Sequence, residues 1–180
     1  MKNRNFTSFP VLTTERLTLR QLLIDDQNDI LALRSDTEIN QYLNRQPSKT
    51  IEDAINFINK VNDNIKLNNS LYWAITFTMT KTFVGTICLF GFSNETNSCE
   101  IGYELTPKFQ GQGIMKEAAE KVIDYAFQTL QFQKIVAITH KENQNSTKLL
   151  TKLSFLQSKE ADKENPDCNI FTLTYLNWQQ

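Results

Sequence analysis

Polar and apolar residues alternate through Arg16-Leu17-Thr18-Leu19-Arg20-Gln21-Leu22, which puts Leu17 and Leu19 on one face of a half-buried strand. Asp25 or Asp26 can cap a helix that follows through Ile30, Leu31 and Leu33 to about Arg34, and a short second helix is predicted from Asp36 to Leu43. Pro47-Ser48 interrupts the chain before Thr50-Ile51-Glu52-Asp53, a capping box that opens a long amphipathic helix with Ile51, Ala54, Ile55, Ile58, Val61 and Ile65 at helical spacing. Beyond Asn68-Asn69-Ser70 the residues become branched and aromatic. Leu71 to Met79 and Phe83 to Phe92 read as a β-hairpin, and after a polar turn, Ser93 to Asn97, Cys99 to Leu105 reads as a further strand ended by Pro107.

The loop Lys108 to Gly113 leads into a second clear helical stripe of Met115, Ala118, Ala119, Val122, Ile123, Ala126 and Leu130. Lys134 to Thr139 is a strand of buried type, Asn145 to Leu153 a helix, and Phe155 to Ser158 and Ile170 to Leu176 two last strands. Between those two, the polar stretch Lys159 to Asn169, with Pro166, is expected to be a mobile loop. Neither a repeat nor a linker divides the chain, so residues 1–180 read as one domain. Helices, then a β-meander, then alternating strands and helices predict an α/β class, an α+β mixed sheet with helices on both faces.

Composition narrows this picture. At 180 residues a folded chain buries about 70% of its unfolded surface, and 40% hydrophobic residues supply the area, so disulfides are not needed. The balance of 19 Lys+Arg against 20 Asp+Glu offers no global attraction to nucleic acid. Cys88, Cys99 and Cys168 form no Cys-x-x-Cys pair, and His140 is the only histidine, so no metal site is expected. The N-terminal Met-Lys-Asn-Arg-Asn-Phe has no apolar stretch behind it, and no segment approaches the roughly 20 apolar residues of a membrane helix. The expected location is the cytoplasm.

Only five glycines occur, and two of them, Gly111 and Gly113, lie in one turn between a strand and the start of an amphipathic helix. The first amides of a helix lack intrahelical partners and carry the positive end of its dipole, and glycine lets the backbone approach an anion closely. Such a turn can bind phosphate, with Lys108 and Lys116 adding screened attraction; an ordinary connection that happens to use glycine is the alternative. The spacing is not that of a P-loop, and Lys116 stands where a dinucleotide fingerprint needs its third glycine. A pyrophosphate site of another architecture is left.

Gln110-Gly111-Gln112-Gly113-Ile114-Met115 resembles the Gln/Arg-x-x-Gly-x-Gly/Ala pyrophosphate loop of the GNAT acetyltransferase superfamily, with Met115 departing at the last small position. Leu12 to Arg20 resembles the opening strand of the RimJ/RimL-like branch, and Glu100-Ile101-Gly102-Tyr103 resembles its strand before the loop. Asn143-Gln144-Asn145-Ser146 with Lys152-Leu153-Ser154-Phe155 resembles the branch's closing motifs, with Ser154 in place of the usual glycine. The resemblance implies a GNAT fold, a central, mostly antiparallel, twisted sheet in which a splayed strand pair near Leu105 receives acetyl-CoA. It implies an acetyl-CoA-dependent N-acetyltransferase that transfers the acetyl group directly to a primary amine. Gln110, Gly111, Gln112, Gly113, Ile114 and Met115 would hold the pyrophosphate, Asn143 would orient CoA, and amides around Tyr103 to Leu105 would hold the thioester carbonyl. Amides aimed at a developing oxyanion are worth about 3–4 kcal/mol elsewhere.

Glu100 and Glu104 are the candidate bases, directly or through water, with Glu100 preferred; both could equally be exposed strand carboxylates. Ser146 would donate to the leaving sulfur, unless it or Asn145 simply caps the next helix. The acceptor is a peptide N-terminal α-amine or a small-molecule amine, with no nucleic acid and no membrane as partner, and the protein is expected as monomer or homodimer. Tyr42, Tyr72, Trp73 and Phe92 are candidates for an acceptor pocket, with core or ordinary surface as the competing assignment. A non-catalytic acyl-CoA-binding sensor of the same fold is the alternative function, and a nucleotide-binding regulatory module is weakened by the missing motifs.

Overall fold

The structure, a computed structural model, describes residues 5, 6, 8–161 and 165–179. Eight strands form one sheet: β1 (Leu12–Thr13), β2 (Leu17–Gln21), β3 (Leu71–Phe77), β4 (Phe83–Ser93), β5 (Ser98–Leu105), β6 (Lys134–His140), β7 (Leu156–Ala161) and β8 (Cys168–Thr174). Their spatial order is β1-β2-β3-β4-β5-β6-β8-β7, and every neighbouring pair is antiparallel except β5 and β6. The expected mixed sheet, mostly antiparallel and flanked by helices, is therefore present.

The helices are α1 (Gln27–Ser35), α2 (Thr37–Asn40), α3 (Ile51–Lys66), α4 (Ile114–Asp124), α5 (Gln144–Lys152) and a closing turn, α6 (Tyr175–Trp178). Alternation along β3 divides their partners. Ala74 points to the face where Ile30 and Leu33 of α1 meet Ala54, Ile58 and Val61 of α3, whereas Trp73 and Ile75 point to the larger cluster built on α4 and α5. Trp73 is fully buried and its indole N–H donates to the Pro10 carbonyl at 2.7 Å. Burial of one such large side chain contributes about 2–3 kcal/mol. The Thr50 hydroxyl accepts from the Asp53 amide at 3.1 Å while the Asp53 carboxylate accepts from the Thr50 amide at 2.9 Å, which starts α3 where the capping box predicts.

Several boundaries differ from the sequence expectation for local reasons. Asp26 does not cap α1 with its side chain; its buried carboxylate accepts two bonds of 2.7 Å from Arg20 and one of 2.8 Å from the Leu23 amide. The last strand stops at Thr174 because its hydroxyl accepts from the Asn177 amide and turns Tyr175 and Leu176 into helix. The expected loop Lys159 to Asn169 is narrowed by β7 and β8, and residues 162–164 lie outside the described residues.

One interruption in the sheet positions the site. Parallel pairing of β5 with β6 covers only Ser98, Cys99 and Glu100 against Lys134, Ile135 and Val136. β5 nevertheless stays paired to β4 as far as Leu105 against Gly85, and β6 stays paired to β8 as far as His140 against Cys168. The two halves of the sheet thus diverge beyond Glu100. Gly85 helps hold β5 on the β4 side, since a Cβ there would lie 2.3 Å from the Glu104 carbonyl oxygen.

Candidate active site

A cavity of about 600 Å³ occupies the divergence. Its lining comes from Ile101, Gly102 and Tyr103 on β5, from Ala137 to His140 on β6, from the start of α5, and from two loops, residues 41–44 and 165–168. Beyond residue 100, the alternate backbone groups of β5 that point away from β4 meet no strand, as the pairing rules of a sheet require for a neighbour that has been withdrawn. The Leu105 carbonyl accepts from the Gln110 side-chain amide at 3.3 Å, which ties the end of β5 to the glycine loop.

That loop is shaped by backbone torsion. Gly111 and Gly113 have φ of +74° and +75°, the left-handed region that side chains with a Cβ rarely adopt, and Gly113 stands at the N-cap of α4. A Cβ at Gly111 would meet no heavy atom within 4 Å, so the loop is open on that side. The first bond of α4 runs from the Glu117 amide to the Gly113 carbonyl at 3.1 Å, which puts the amides of Ile114, Met115 and Lys116 ahead of the helical ladder. The side chains of Ile114 and Met115 are buried in the core, so these two residues offer the loop only their backbone. Lys116 pairs with Glu120, and the Lys108 ammonium lies 4.8 Å from the Phe109 ring centroid.

Arg16, which the sequence reading gave no role of its own, sits over this loop. Its guanidinium donates to the Gln112 carbonyl at 3.3 and 3.4 Å, and its Nε donates to Glu117 at 2.6 Å. Burial pushes the Glu117 carboxyl up, but hydrogen bonds from Thr14 and from the Arg16 backbone and side chain outweigh it and hold the group below its usual value.

At the inner end of the divergence, the Tyr103 and Ser146 hydroxyls lie 2.9 Å apart. Burial pushes the Tyr103 phenol up to about 12, with the Ser146 bond pulling weakly the other way. Ser146 is held by the cap of α5: the Asn143 side-chain oxygen accepts from the Ser146 amide at 3.0 Å. Asn143 is therefore the capping residue, not Asn145 or Ser146, and a cofactor contact from its side chain would fall to the amide nitrogen. Ser154 ends the same helix at φ +64°, with the Phe155 amide bonding to Leu150 and the Ser154 amide to Thr151, a Schellman closure in which glycine is the usual residue.

The two candidate bases stand apart from this group. Glu104 accepts from Arg45 through both oxygens, at 2.7 and 2.6 Å, and the Glu100 carboxyl lies against Gly91 of β4, where an added Cβ would be 2.8 Å from Oε1. Neither is among the residues lining the cavity. Of the four aromatic candidates, Tyr42 lines it and stacks on His140 with ring centroids 5.6 Å apart. Trp73 is core, Tyr72 is half-buried with its hydroxyl donating to Thr86 and its phenol pushed up by desolvation, and Phe92 packs on Phe6 and Phe132. Arg45 carries no local sequence signal, because its partner Glu104 is brought to it only by the fold. Among the described residues no group of three or more His, Cys, Asp or Glu could hold a metal ion, and no helix is long and apolar enough to cross a membrane.

Residues 16–156 match the family model described as an acetyltransferase (GNAT) domain. The chain is 33% identical over 147 residues to YoaA of Bacillus subtilis (strain 168), an uncharacterized N-acetyltransferase, covering 82% of this chain and 83% of that one. It is 35% identical over 144 residues to the uncharacterized N-acetyltransferase p20 of Bacillus licheniformis, covering 80% and 81% respectively. In structure it resembles spermidine N-acetyltransferase from Vibrio cholerae, solved in complex with CoA and spermine, with a TM-score of 0.80 at 20% identity over 93% of this chain and 100% of that one.

Proposed function

The chain belongs to the GNAT acetyltransferase family, and on that premise we propose that it transfers the acetyl group of acetyl-CoA directly to a primary amine, with residues 1–180 acting as one domain of RimJ/RimL-like type. The observation that carries the reading is the divergence of β5 from β6 beside a loop with two left-handed glycines at the start of α4. This chain's residues fit the cosubstrate: an open loop for an anion, uncommitted strand edges for an amide-bearing arm, and a hydroxyl pair at the inner end. That none of Cys88, Cys99 and Cys168 is in a disulfide fits a cytoplasmic setting.

When bound, acetyl-CoA supplies an activated acyl thioester. Gln110 to Gly113 and the first amides of α4 would hold the pyrophosphate, with Ile114 and Met115 contributing N–H groups. The backbone of Tyr103 to Leu105 would hold the arm and orient the carbonyl. Tyr103, kept protonated by burial, would give one proton to the departing sulfur and recover it from the water that takes the amine's proton, while Ser146, fixed in place by Asn143, would donate a hydrogen bond to the same sulfur. With Glu100 and Glu104 turned from the cavity, water there takes the proton of the amine. An α-amine of pKa about 8 is about one-tenth neutral at pH 7, whereas a lysine amine of about 10.4 is neutral in fewer than about one molecule in a thousand. A site of this kind favours a peptide N-terminus or a small amine of low pKa.

The position of the two glutamates also favours the second reading, an acyl-CoA sensor that binds without turnover. Thermal shift with acetyl-CoA, ATP and NAD, followed by thiol release over a panel of peptides and small amines, separates the two. Stabilisation by acetyl-CoA with thiol release that depends on the amine supports the transferase; stabilisation without release on any acceptor supports the sensor.

A further inference from the structure

We propose that the ion pair between Arg45 and Glu104 is a latch that holds the acceptor-side wall, residues 41–44, against the open end of β5, making both residues positioning groups for the acceptor. The inference rests on the transferase reading for the word acceptor, but not for the latch itself.

The wall belongs to a segment, residues 41–49, without helix or strand, in which Gln41, Leu43, Asn44, Gln46, Pro47 and Lys49 are all exposed. Leu43, its one aliphatic side chain, is 39% exposed, so burial of apolar surface contributes little to where the segment lies. Polar ties do that work. At one end the Asn40 side chain donates to the Arg34 carbonyl at 2.9 Å, and at the other the Ser48 amide donates to the same carbonyl at 3.2 Å. Both ties fasten the segment to α1, not to the sheet. Arg45 supplies the link to β5. Its Nε donates to Asn40 at 2.8 Å, and its two terminal nitrogens donate one to each oxygen of Glu104.

Glu104 is a rigid anchor because it is registered against Thr86 in the paired part of β5. A planar guanidinium meeting a carboxylate through two parallel bonds fixes angle as well as distance, which a single-point contact does not. The side chains are 18% and 15% exposed, so the pair is shielded from solvent far more than a surface ion pair. Tyr42, which stacks on His140 across the cavity, is three residues from Arg45, so the latch sets how far this ring stands from β6.

The surroundings make the two partners unequal. Arg34, whose guanidinium lies 3.8 Å from the Phe57 ring centroid, is disfavoured as a cation first by burial and then by Arg45, while Glu104 favours it. Removing the Glu104 charge takes this carboxylate from both arginines. Removing the Arg45 charge leaves Glu104 with Arg34.

The test compares Glu104→Gln, Arg45→Gln and Arg45→Lys with the unaltered full chain. Hydrogen exchange of the free protein should speed up by about tenfold or more for residues 41–49 in Glu104→Gln, with α4 and the β3–β4 hairpin unchanged, since breaking a buried pair is strongly unfavourable. Arg45→Gln should show a smaller change, and Arg45→Lys, which keeps the charge and loses the fork, the smallest. With the best amine of the panel, acceptor KM should rise about fivefold in Arg45→Gln while kcat and acetyl-CoA affinity stay within about threefold. Unchanged exchange of residues 41–49 in all three variants overturns the latch, as does a loss of kcat with acceptor KM unchanged. Should Glu104→Gln fail to fold, the two Arg45 variants decide by the same readouts. If no amine supports turnover, the transferase reading fails while the exchange measurement still decides the latch.

Discussion

The two regions tied to the open end of β5 are built by different means. The glycine loop is a backbone device: two left-handed glycines and a helix start create its shape, and each element lies within a few residues of the others. The acceptor wall is a side-chain device, in which a segment with little buried surface is carried to β5 by Arg45 reaching across 59 positions to Glu104. A backbone device changes little when surrounding side chains vary. A side-chain device can be re-aimed by one substitution.

The largest expected effect falls on the glycine loop. Gly113→Val forces a branched side chain to φ near +75°, a strain of about 1–3 kcal/mol, so acetyl-CoA affinity should drop by about tenfold or more by calorimetry while acceptor KM stays near wild type. Unchanged affinity would remove the loop from the cofactor site. Gly85→Ala strikes the end of β5 to which both regions are tied. Its Cβ would meet the Glu104 carbonyl at 2.3 Å, and a loss of about 2 kcal/mol of stability in denaturant unfolding is expected. A neutral outcome would mean that close approach of β4 does not set the divergence.

Smaller effects separate chemistry from positioning. Tyr103→Phe and Ser146→Ala should each lower kcat about tenfold, and the double variant should be little worse than the poorer single one, because the two hydroxyls share one hydrogen bond. Since burial holds Tyr103 protonated up to about pH 12, the rate should rise with pH as the amine loses its proton, with no decline from this group below about pH 10. A decline near neutral pH would point to a different acid. Ser154→Gly should stabilise the fold by about 1 kcal/mol, raising Tm by about 2–4 °C, by relieving the left-handed backbone at the end of α5. Glu100→Gln should leave kcat/KM within about twofold for α-amines; a loss that grows with amine pKa would return Glu100 to the role of base.

Periodicity made most of the fold legible. Strands β2 to β6 and helices α3 and α4 carry long, consistent patterns, and the capping box at Thr50 marks a boundary to the residue. Boundaries set by one polar side chain were not legible: Asp26 serves Arg20 instead of capping, Asn143 caps α5, and Thr174 turns a strand into a helix. At the candidate site, the glycine loop could be read because its geometry is local. The pairing of Tyr103 with Ser146, and of Glu104 with Arg45, joins residues 43 and 59 positions apart and leaves no periodic trace. The glutamates stood out because of the motif around Glu100, but the alternation of β5 turns Ile101 and Tyr103 to the opposite face from Glu100 and Glu104.

The most direct measurement of the central claim is release of CoA thiol from acetyl-CoA by the purified full chain, with each member of an amine panel that spans α-amines of low pKa and ε-amines of high pKa. Release should require the amine, yield the acetylated amide in equal amount, and be faster for α-amines at pH 7 than for lysine-like amines. Binding of acetyl-CoA with no amine-dependent release on any member of the panel would contradict it.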